Sequence, residues 1–320
     1  MRLLSRTATK SFSIIQKIIT LTLNPSLDKG TTVKEIVPEK KLQCSEPILD
    51  AGGGGINVSR ALHYMGYGST AVYMHGGYTG DKLNVLMKET GIECMAFDIA
   101  GDTRENLIVV DATANKQYRF GMQGVVLSEE EWQKPLAFLE RNIGYEYVVA
   151  SGSLPPGVPL DYFGRVAAIV QKKGARLIID TSGEALQHAV KEGVFMIKPN
   201  LAELSFLNGK QELQEEDILL AARKIIMDAG CAVIVVSMGA EGALLITKEE
   251  TIKISSPIVK IKSTVGAGDS MVAGLVLGIK RKYDWKDTLK LGVACGTAAT
   301  MNVGTALCKK KDVDYLFGQI

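Results

Sequence analysis

The strongest constraint on the fold is an alternation of short apolar segments with longer amphipathic ones between residues 128 and 236. The apolar segments are rich in β-branched residues, and each follows a segment whose apolar residues recur at helical spacing. Buried strands are therefore predicted at 147–150, 177–180, 195–198 and 232–236. Apolar strands separated by helices build parallel sheets that are covered on both faces. The sequence thus predicts an α/β fold with a mainly parallel sheet.

The first part of the chain adds one buried strand and several more polar ones. Residues 18–23 have the pattern of an apolar strand. Four alternating and more polar strand patterns follow, at 31–37, 42–49, 107–110 and 117–120. They predict a small separate sheet near 31–49 and 104–120. Because there is no long linker and no repeat, we expect residues 18–320 to form a single domain.

Composition argues against several classes of function. The chain has 320 residues, 22% charged residues and a formal net charge of +2, with no basic and aromatic stripe, so no nucleic-acid partner is expected. No apolar run approaches the ~20 residues that span a bilayer, so no membrane partner is expected. The five cysteines are scattered and form no C-x-x-C pair, which is typical of reduced thiols in a cytoplasmic protein.

The first 17 residues differ from the rest of the chain. They contain Arg2, Arg6, Lys10 and Lys17 and no acidic residue. This composition is similar to that of an organellar transit peptide, and a disordered tail or an upstream start codon is the alternative. We therefore expect residues 1–17 to be an N-terminal extension.

Polar clusters directly follow four of the predicted strands. They lie at 151–153, 180–182, 198–200 and 237–239. Ligands of parallel α/β folds bind beyond the carboxyl ends of the strands. The shared placement of the clusters therefore predicts one binding site at this edge of the sheet.

Residues 263–270 combine a tight loop with an acid. Gly266, Ala267 and Gly268 stand directly before Asp269 and an apolar run that continues as a helix. Backbone N–H groups at a helix N-terminus bind anions, and a carboxylate beside a bound phosphate can act as a general base. The alternative is an acid that is favoured only by the helix dipole. The pattern indicates transfer of a phosphoryl group to a hydroxyl.

A run of four glycines at 52–55 precedes Asn57 and a predicted helix. Four glycines are conformationally costly for a plain turn, so close approach of the backbone to a ligand is favoured. The run does not match G-x-G-x-x-G, and no G-x-x-x-x-G-K-[ST] occurs in the chain. A nicotinamide dehydrogenase and a P-loop kinase are therefore disfavoured.

Three other polar sites each have a purely structural alternative. Asp28, after the first strand, either binds sugar hydroxyls or forms an Asx turn. Arg104 either clamps a phosphate or forms a surface ion pair. Asn200 and Glu203 either hold hydrated Mg²⁺ or form a capping box, and their spacing alone favours the cap.

Taken together, these segments resemble the PfkB, or ribokinase-like, family of carbohydrate kinases over residues 18–308. The segments that carry the resemblance are 20–28, 52–58, 117–120, 151–158, 182–186, 263–270 and 307–308. The resemblance implies a Rossmann-like, three-layer α/β/α domain with a small β-sheet lid, and a homodimer formed through the lid. It also implies ATP- and Mg²⁺-dependent phosphorylation of a sugar phosphate.

Within the family, the phosphofructokinase branch is the most similar. The resemblance therefore implies O1 of fructose 6-phosphate as the acceptor, in glycolysis. Fructose 1-phosphate and tagatose 6-phosphate remain alternative acceptors. A catalytically silent sugar-phosphate sensor on the same fold is a more distant alternative.

The resemblance also implies a role for each matching residue. Asp269 matches the catalytic base, and the backbone N–H groups of Gly266, Ala267 and Gly268 match the groups that stabilise the transferred phosphoryl. The residues that match the sugar-phosphate site are Ser26, Asp28, Gly53, Gly54, Asn57, Arg104 and Ser153. The residues that match the ATP site are Lys41, Lys198, Asn200, Ser237, Gly239 and Thr264, with Glu203 on Mg²⁺ through water. The residues that match a K⁺-binding loop are Ser263, Val265, Ala299, Asn302 and Gly304.

Two positions depart from the similar family members. Gln43 and Ala306 stand where those proteins have arginines. Gln43 cannot form a charged clamp on a phosphate, so we expect a different affinity for the sugar phosphate or a different inhibition by ATP. Ala306 weakens only the side-chain part of the cation loop.

Overall fold

The computed structural model describes residues 17–320, and the predicted N-terminal extension lies outside the described residues apart from Lys17. The strands of the described part are β1 (Ile18–Thr22), β2 (Ser26–Val33), β3 (Ile48–Gly52), β4 (Thr70–His75), β5 (Glu93–Asp98), β6 (Arg104–Asp111), β7 (Lys116–Phe120), β8 (Tyr147–Ser151), β9 (Arg176–Asp180), β10 (Met196–Ile197), β11 (Val233–Ser237), β12 (Ala243–Ile246) and β13 (Thr251–Ile254). The helices are α1 (Gly54–Tyr64), α2 (Gly77–Glu89), α3 (Glu129–Arg141), α4 (Tyr162–Lys172), α5 (Gly183–Lys191), α6 (Leu201–Leu207), α7 (Ile218–Ala229), α8 (Ala267–Lys280), α9 (Trp285–Thr300) and α10 (Lys310–Gln319).

Nine strands of the described part form one large sheet in the order β13-β12-β11-β10-β9-β8-β1-β4-β5. Pairing is parallel from β5 through to β11, whereas β12 and β13 are antiparallel. The predicted α/β fold with a mainly parallel sheet is confirmed. The strands β5, β12 and β13 had no counterpart in the sequence-based prediction.

Helices cover both faces of the large sheet because neighbouring residues of a strand point to opposite sides. Val148 and Ile179 pack on one side with residues of α3, α4, α5 and α7. Val149 and Ile178, their immediate neighbours, pack on the other side with α1, α8, α9 and α10. The central strands are therefore apolar on both faces, which explains why they read as continuous apolar runs.

A second sheet has four strands in the order β3-β2-β6-β7. β2 pairs with β6 in parallel, and the outer pairs are antiparallel. We call this sheet the lid. It confirms the predicted small sheet, but the predicted strands at 31–37 and 42–49 are wrong for residues 34–47.

Those residues lie between β2 and β3, where an isolated bridge from Val33 to Cys44 and hydrogen bonds of Ser45 with Thr31 and Thr32 take the place of a strand ladder. Pro38 and Pro47 provide no N–H for a strand ladder, and charged residues separate them. Alternation alone was therefore an insufficient sign of a strand. No helix within residues 17–320 has the length and apolar character needed to cross a membrane.

Close packing of α8 on α9 fixes the beginning of α8 relative to the sheet. A Cβ at Gly274 would lie 2.6 Å from the carbonyl oxygen of Leu291 and 2.9 Å from Cys295 Sγ. These distances are shorter than van der Waals contact, so any side chain there would push the two helices apart. The segment that begins α8 contains Asp269, and its position depends on this packing.

We expect Gly274→Val to lower the free energy of unfolding by about 1–3 kcal/mol, since overpacking a tight contact forces the helices apart. Urea unfolding followed by circular dichroism measures the change. Gly318→Ala is the matched control, because a Cβ on this helical glycine of α10 meets nothing within 4 Å. The control should be neutral or more stable by up to ~1 kcal/mol. Unchanged stability of Gly274→Val would contradict the close packing.

Candidate active site

The carboxyl ends of the central strands meet at one edge of the large sheet, as the polar clusters predicted. Ser151 ends β8, Asp180 ends β9 and Ser237 ends β11, while Lys198 directly follows β10. A cavity of about 300 Å³ lies at this edge. Its lining residues are Gly54, Ser151, Gly152, Ser153, Asp180, Thr181, Ser182, Glu203 and Asp269.

Asp269 lies in the first turn of α8 and faces this cavity. Asn57 Nδ2 donates a hydrogen bond to Asp269 Oδ2 at 2.9 Å, and Ser151 Oγ donates to Oδ1 at 3.5 Å. Burial raises the pKa of Asp269 to about 6, and the charge of Asp180 adds to the rise. Asn57, Lys198 and Ser151 oppose that rise without cancelling it. The carboxylate is therefore ionised at neutral pH and is more basic than an exposed aspartate.

The loop before Asp269 requires its first glycine. Gly266 has φ of 71° and caps α8, and a Cβ there would overlap the side chain of Leu307. The first N–H groups of a helix have no acceptor within the helix, and at the start of α8 the Ala267 N–H makes a long hydrogen bond, of 3.4 Å, to the carbonyl oxygen of Thr264. An anion can replace this weak contact at the helix N-terminus. The segment thus has the backbone geometry of an anion-binding loop.

Lys198 brings positive charge to the same loop. Its Nζ would lie 3.6 Å from a Cβ placed at Gly268, and it forms an ion pair with Asp180 at 3.1 Å. Burial opposes its charge, but Asp180, Glu203 and Asp269 together raise the pKa of Lys198. The buried ammonium therefore stays protonated beside the anion-binding loop.

The glycine run is explained in part by contacts within the protein. A Cβ at Gly52 would overlap the carboxylate of Asp28, and one at Gly54 would lie 2.8 Å from the backbone nitrogen of Gly152. Gly53 has φ of 119°, which favours glycine. The run lets β3 of the lid and the start of α1 approach β2 and β8 closely.

Asp28 lies within β2, so the alternative of an Asx turn is wrong. Ser26 Oγ donates to Asp28 Oδ1 at 2.7 Å, and Asn106 Nδ2 donates to the same oxygen at 2.9 Å. Burial raises the pKa of Asp28 despite these two hydrogen bonds. Asn106 was missed by sequence reasoning, because only the parallel register of β2 with β6 places it opposite Asp28.

Arg104 begins β6 and is tied to backbone carbonyls. It donates to the carbonyl oxygens of Met122 at 2.9 Å and Asn24 at 3.0 Å, while its buried Nε has no hydrogen-bond partner among residues 17–320. Asn24 Nδ2 also donates to Ser153 Oγ at 3.0 Å. Arg104 and Ser153 are thus joined through one residue at the base of the lid.

A second cavity, of about 360 Å³, adjoins the anion-binding loop, whose Ala267 and Gly268 line it. Ser237, Gly239, Thr264, Ala267 and Gly268 are among its polar and small lining residues. The apolar part of its lining is formed by Pro257, Ile258, Val259, Ile261 and Met271. An apolar slot beside an anion-binding loop has the chemistry expected of a nucleotide site.

Asn200 and Glu203 form the capping box that their spacing favoured. Asn200 Oδ1 accepts from the Glu203 N–H, and Glu203 Oε2 accepts from the Asn200 N–H, each at 2.9 Å. Glu203 also lines the first cavity. Within residues 17–320, no group of three or more His, Cys, Asp or Glu side chains is arranged to hold a metal ion.

The segments predicted to bind K⁺ lie side by side. Ser263 Oγ donates to the carbonyl oxygen of Gly304 at 2.7 Å, and Asn302 Nδ2 donates to the carbonyl oxygen of Ala298 at 3.0 Å. Arg119 of β7, to which the sequence analysis gave no role, donates to Thr264 Oγ1 at 2.7 Å. Lys41 is exposed between β2 and β3, and it lines neither cavity.

Comparisons with known proteins agree with this geometry. ATP-dependent 6-phosphofructokinase isozyme 2 of Escherichia coli K12 is 40% identical over 306 residues, which are 95% of this chain and 99% of that protein. The protein of the same name from Mycobacterium tuberculosis H37Rv is 42% identical over 302 residues, 94% of this chain and 89% of that protein. A crystal structure of E. coli phosphofructokinase-2 in complex with potassium has a TM-score of 0.91 and covers 94% of this chain and 98% of that chain.

More distant relatives include several 1-phosphofructokinases and a tagatose-6-phosphate kinase, at 30–34% identity. The sequence profile of the pfkB family carbohydrate kinases matches residues 23–312. Because this match spans the lid, the anion-binding loop and every described strand of the large sheet except β1, the chain belongs to the pfkB family of carbohydrate kinases.

Proposed function

We propose that this protein is an ATP-dependent 6-phosphofructokinase, which transfers the γ-phosphoryl group of ATP to O1 of fructose 6-phosphate. The observation that carries the proposal is the position of Asp269, at the start of α8 between the two cavities. The two relatives at 40% and 42% identity, both 6-phosphofructokinases, support the choice of acceptor.

Asp269 is the general base of the proposed reaction. As the acceptor hydroxyl oxygen bonds to the γ-phosphorus, its proton passes to the carboxylate and the bond to the bridging oxygen breaks, leaving ADP. Asn57 and Ser151 hold the carboxylate by their hydrogen bonds. With a pKa of about 6, the group is ionised at pH 7 and remains a competent proton acceptor.

The anion-binding loop stabilises the charge that develops on the transferred group. Backbone N–H groups of Gly266, Ala267 and Gly268 are proposed to donate to its oxygens, because such fixed donors need no rearrangement during the reaction. Lys198 adds a positive charge beside Gly268. Ser237, Gly239 and Thr264 are proposed to line the ATP site.

The sugar-phosphate site lies between the lid and the start of α1. Ser26, Asp28, Gly53, Gly54 and Asn57 are proposed to contact the sugar hydroxyls. Arg104 and Ser153, joined through Asn24, are proposed to hold the phosphate. Charged donors from Arg suit a phosphate because its guanidinium presents several N–H groups in one plane.

The donor set suits Mg²⁺ and K⁺ in different ways. Glu203 and Asn200 are proposed to hold Mg²⁺ through water. Mg²⁺ in nucleotide sites is usually bound by one or two carboxylates, and phosphate oxygens and water fill its other coordination sites. When bound, Mg²⁺ neutralises phosphate charge. For K⁺, oxygen atoms of Ser263, Val265, Ala299, Asn302 and Gly304 are proposed ligands, and the E. coli relative was solved in complex with potassium.

The lid is the proposed surface for a homodimer. A groove of about 450 Å³ separates β2, β3 and β6 from residues 303–309, and Ile48, Ile108 and Val110 line it. Ile48 is 71% exposed. An apolar sheet face of this kind is suited to a second lid. Contact between Lys41 and ATP phosphates would then be made across the dimer, because Lys41 lines neither cavity of its own chain.

A panel of sugar phosphates tests the proposed function directly. ADP release is measured by coupled assay with fructose 6-phosphate, fructose 1-phosphate and tagatose 6-phosphate. We expect kcat/KM to be at least about tenfold higher for fructose 6-phosphate, since a site that hydrogen-bonds sugar hydroxyls discriminates against misplaced ones. Equal or better use of fructose 1-phosphate would reject the acceptor. Binding without ADP release for all three sugars would indicate a sensor instead of a kinase.

Asp269→Asn tests the base. The substitution should lower kcat by roughly 10²–10⁴-fold, the usual contribution of a general base, while calorimetry should still detect binding of ATP and fructose 6-phosphate. In the unchanged enzyme, kcat should fall as pH drops through about 6, because Asp269 becomes protonated. Asp161→Asn, an exposed carboxylate before α4, is the control and should keep full activity. Near-normal turnover of Asp269→Asn would refute the assignment.

Arg104→Ala tests the phosphate contact. Loss of a hydrogen bond to a charged group costs about 1.5–3 kcal/mol, so the KM for fructose 6-phosphate should rise about 10- to 100-fold with a smaller change in kcat. Steady-state kinetics at varied sugar phosphate give both constants. Lys29→Ala removes a cation from the neighbouring strand, where it pairs with Glu105, and should leave this KM unchanged. An unchanged KM in Arg104→Ala would remove Arg104 from the site.

A further inference from the structure

Arg60 is a buried arginine on α1 whose role the reaction scheme leaves open. The residue is 7% exposed. Its Nη1 donates to the carbonyl oxygen of Ala51 at 2.7 Å and to Asn57 Oδ1 at 3.4 Å, and its Nη2 donates to Asp50 Oδ1 at 3.1 Å. A charge buried this deeply is retained only when its partners are well placed.

Asp50 connects Arg60 to strand β3 and to the loop between α9 and α10. Asp50 lies on β3 of the lid, and Thr305 Oγ1, from the loop between α9 and α10, donates to Asp50 Oδ2. The guanidinium is therefore fixed by the lid on one side and by its own helix on the other. Through Thr305, the loop that also contains Gly304 is connected to Asp50 and so to Arg60.

The contact with Asn57 determines which way that side chain points. A carboxamide has an acceptor end and a donor end. With Oδ1 toward the guanidinium of Arg60, Nδ2 is directed at Asp269 Oδ2. The reversed orientation would place Asn57 Oδ1 against the carboxylate and Nδ2 against a cation, so both contacts would become repulsive.

We propose that Arg60 is a positioning residue for the base: it orients the carboxamide of Asn57 so that Asn57 holds Asp269, and Asp50 and Thr305 fix Arg60 in turn. The proposal rests on the proposed phosphoryl transfer, in which Asp269 is the base. It joins β3 of the lid to the carboxylate of Asp269 through three consecutive side-chain contacts, and the loop at 303–307 through a fourth, from Thr305 to Asp50.

The pH dependence of the reaction should reveal this role. Asp269 faces two neutral hydrogen-bond donors, Asn57 and Ser151. The charged groups that face it are Asp180 at the end of β9, Lys198 after β10 and Glu203 of α6. Those that face Arg60 are Asp50 and, across the groove, Lys309. The hydrogen bond from Asn57 lowers the pKa of Asp269, so its loss should raise the pKa of Asp269 above about 6.

The test compares Arg60→Met with Arg60→Lys. In Arg60→Met, kcat at pH 7 should fall about 10- to 100-fold, as expected for a misplaced catalytic group, with the KM for ATP unchanged. The pH below which kcat declines should rise by about one unit, because losing a hydrogen bond to a charged group costs about 1.5 kcal/mol and one pKa unit corresponds to about 1.4 kcal/mol. Arg60→Lys, which keeps one charged donor, should recover part of both changes.

Two further variants guard against a general loss of structure. Arg60→Met combined with Asp50→Asn also removes the half-buried carboxylate that loses its ion pair, and this double variant should fold while keeping the kinetic defect. Ser59→Ala, at the next position of α1, removes hydrogen bonds with Thr20 and Ser69. Since Ser59 faces the sheet, this control should lower stability and leave the pH profile unchanged.

A second readout does not depend on turnover. ¹³C NMR of the carboxyl groups in the enzyme without substrates, assigned with Asp269→Asn, should show the pKa of Asp269 higher in Arg60→Met than in the unchanged protein. A wild-type pH profile in Arg60→Met, or a loss of kcat with the pKa of Asp269 unmoved, would overturn the proposal. Failure of the unchanged protein to phosphorylate any sugar phosphate would reject the proposed function, and the NMR titration would still decide the role of Arg60.

Discussion

Parallel pairing of the central strands is the constraint on which the rest of the structure depends. β8, β9, β10 and β11 run in one direction, so their carboxyl ends bring Ser151, Asp180 and Lys198 to one edge without any contribution from loop geometry. The glycine-containing segments at 52–55 and 266–268 then need only bring the starts of α1 and α8 to that edge. The site is thus built from ends of regular elements, which hold side chains more firmly than long loops do.

Burial is the main reason why Asp269 is more basic than an ordinary aspartate, and the charges at this edge add to the effect. Lys198 lies near the carboxylate, but it is paired with Asp180, whose own charge repels Asp269. The attraction is therefore partly cancelled, and burial becomes the largest influence on the pKa. An aspartate that faced Lys198 alone would be a weaker proton acceptor.

Local patterns in the sequence were sufficient for the central strands of the large sheet and for the residues at its edge, but not for β5, β12 and β13. Apolar runs identify β8, β9 and β11, and the residues after them define the site because parallel strands end together. The capping box of Asn200 and Glu203 was likewise readable from spacing. The lid was less predictable, because its strands are partly exposed and because the charged stretch at 34–47 has strand-like alternation although it lies between β2 and β3.

Residues that act through long-range contacts could not be found from local patterns. Asn106 meets Asp28 only through the register of β2 with β6. Arg60 looks like an ordinary polar position of an amphipathic helix, and its burial becomes evident only when β3 and Thr305 surround it. Arg119 reaches Thr264 across 145 positions of the chain.

The pairing of β2 with β6 has a consequence for how this chain tolerates changes in length. Asp28 and Asn106 are directly opposite in that ladder, and side chains of a strand alternate between its two faces. One residue inserted between Ser26 and Asp28 would turn the carboxylate to the outer face of the lid and replace it with a neighbour at the proposed sugar site. The stretch at 34–43 contributes no residue to the ladder, whereas Cys44 and Ser45 contact β2, so residues can be gained or lost between 34 and 43 without moving Asp28. Natural variation in length should therefore accumulate between β2 and β3 and be absent from β2 itself.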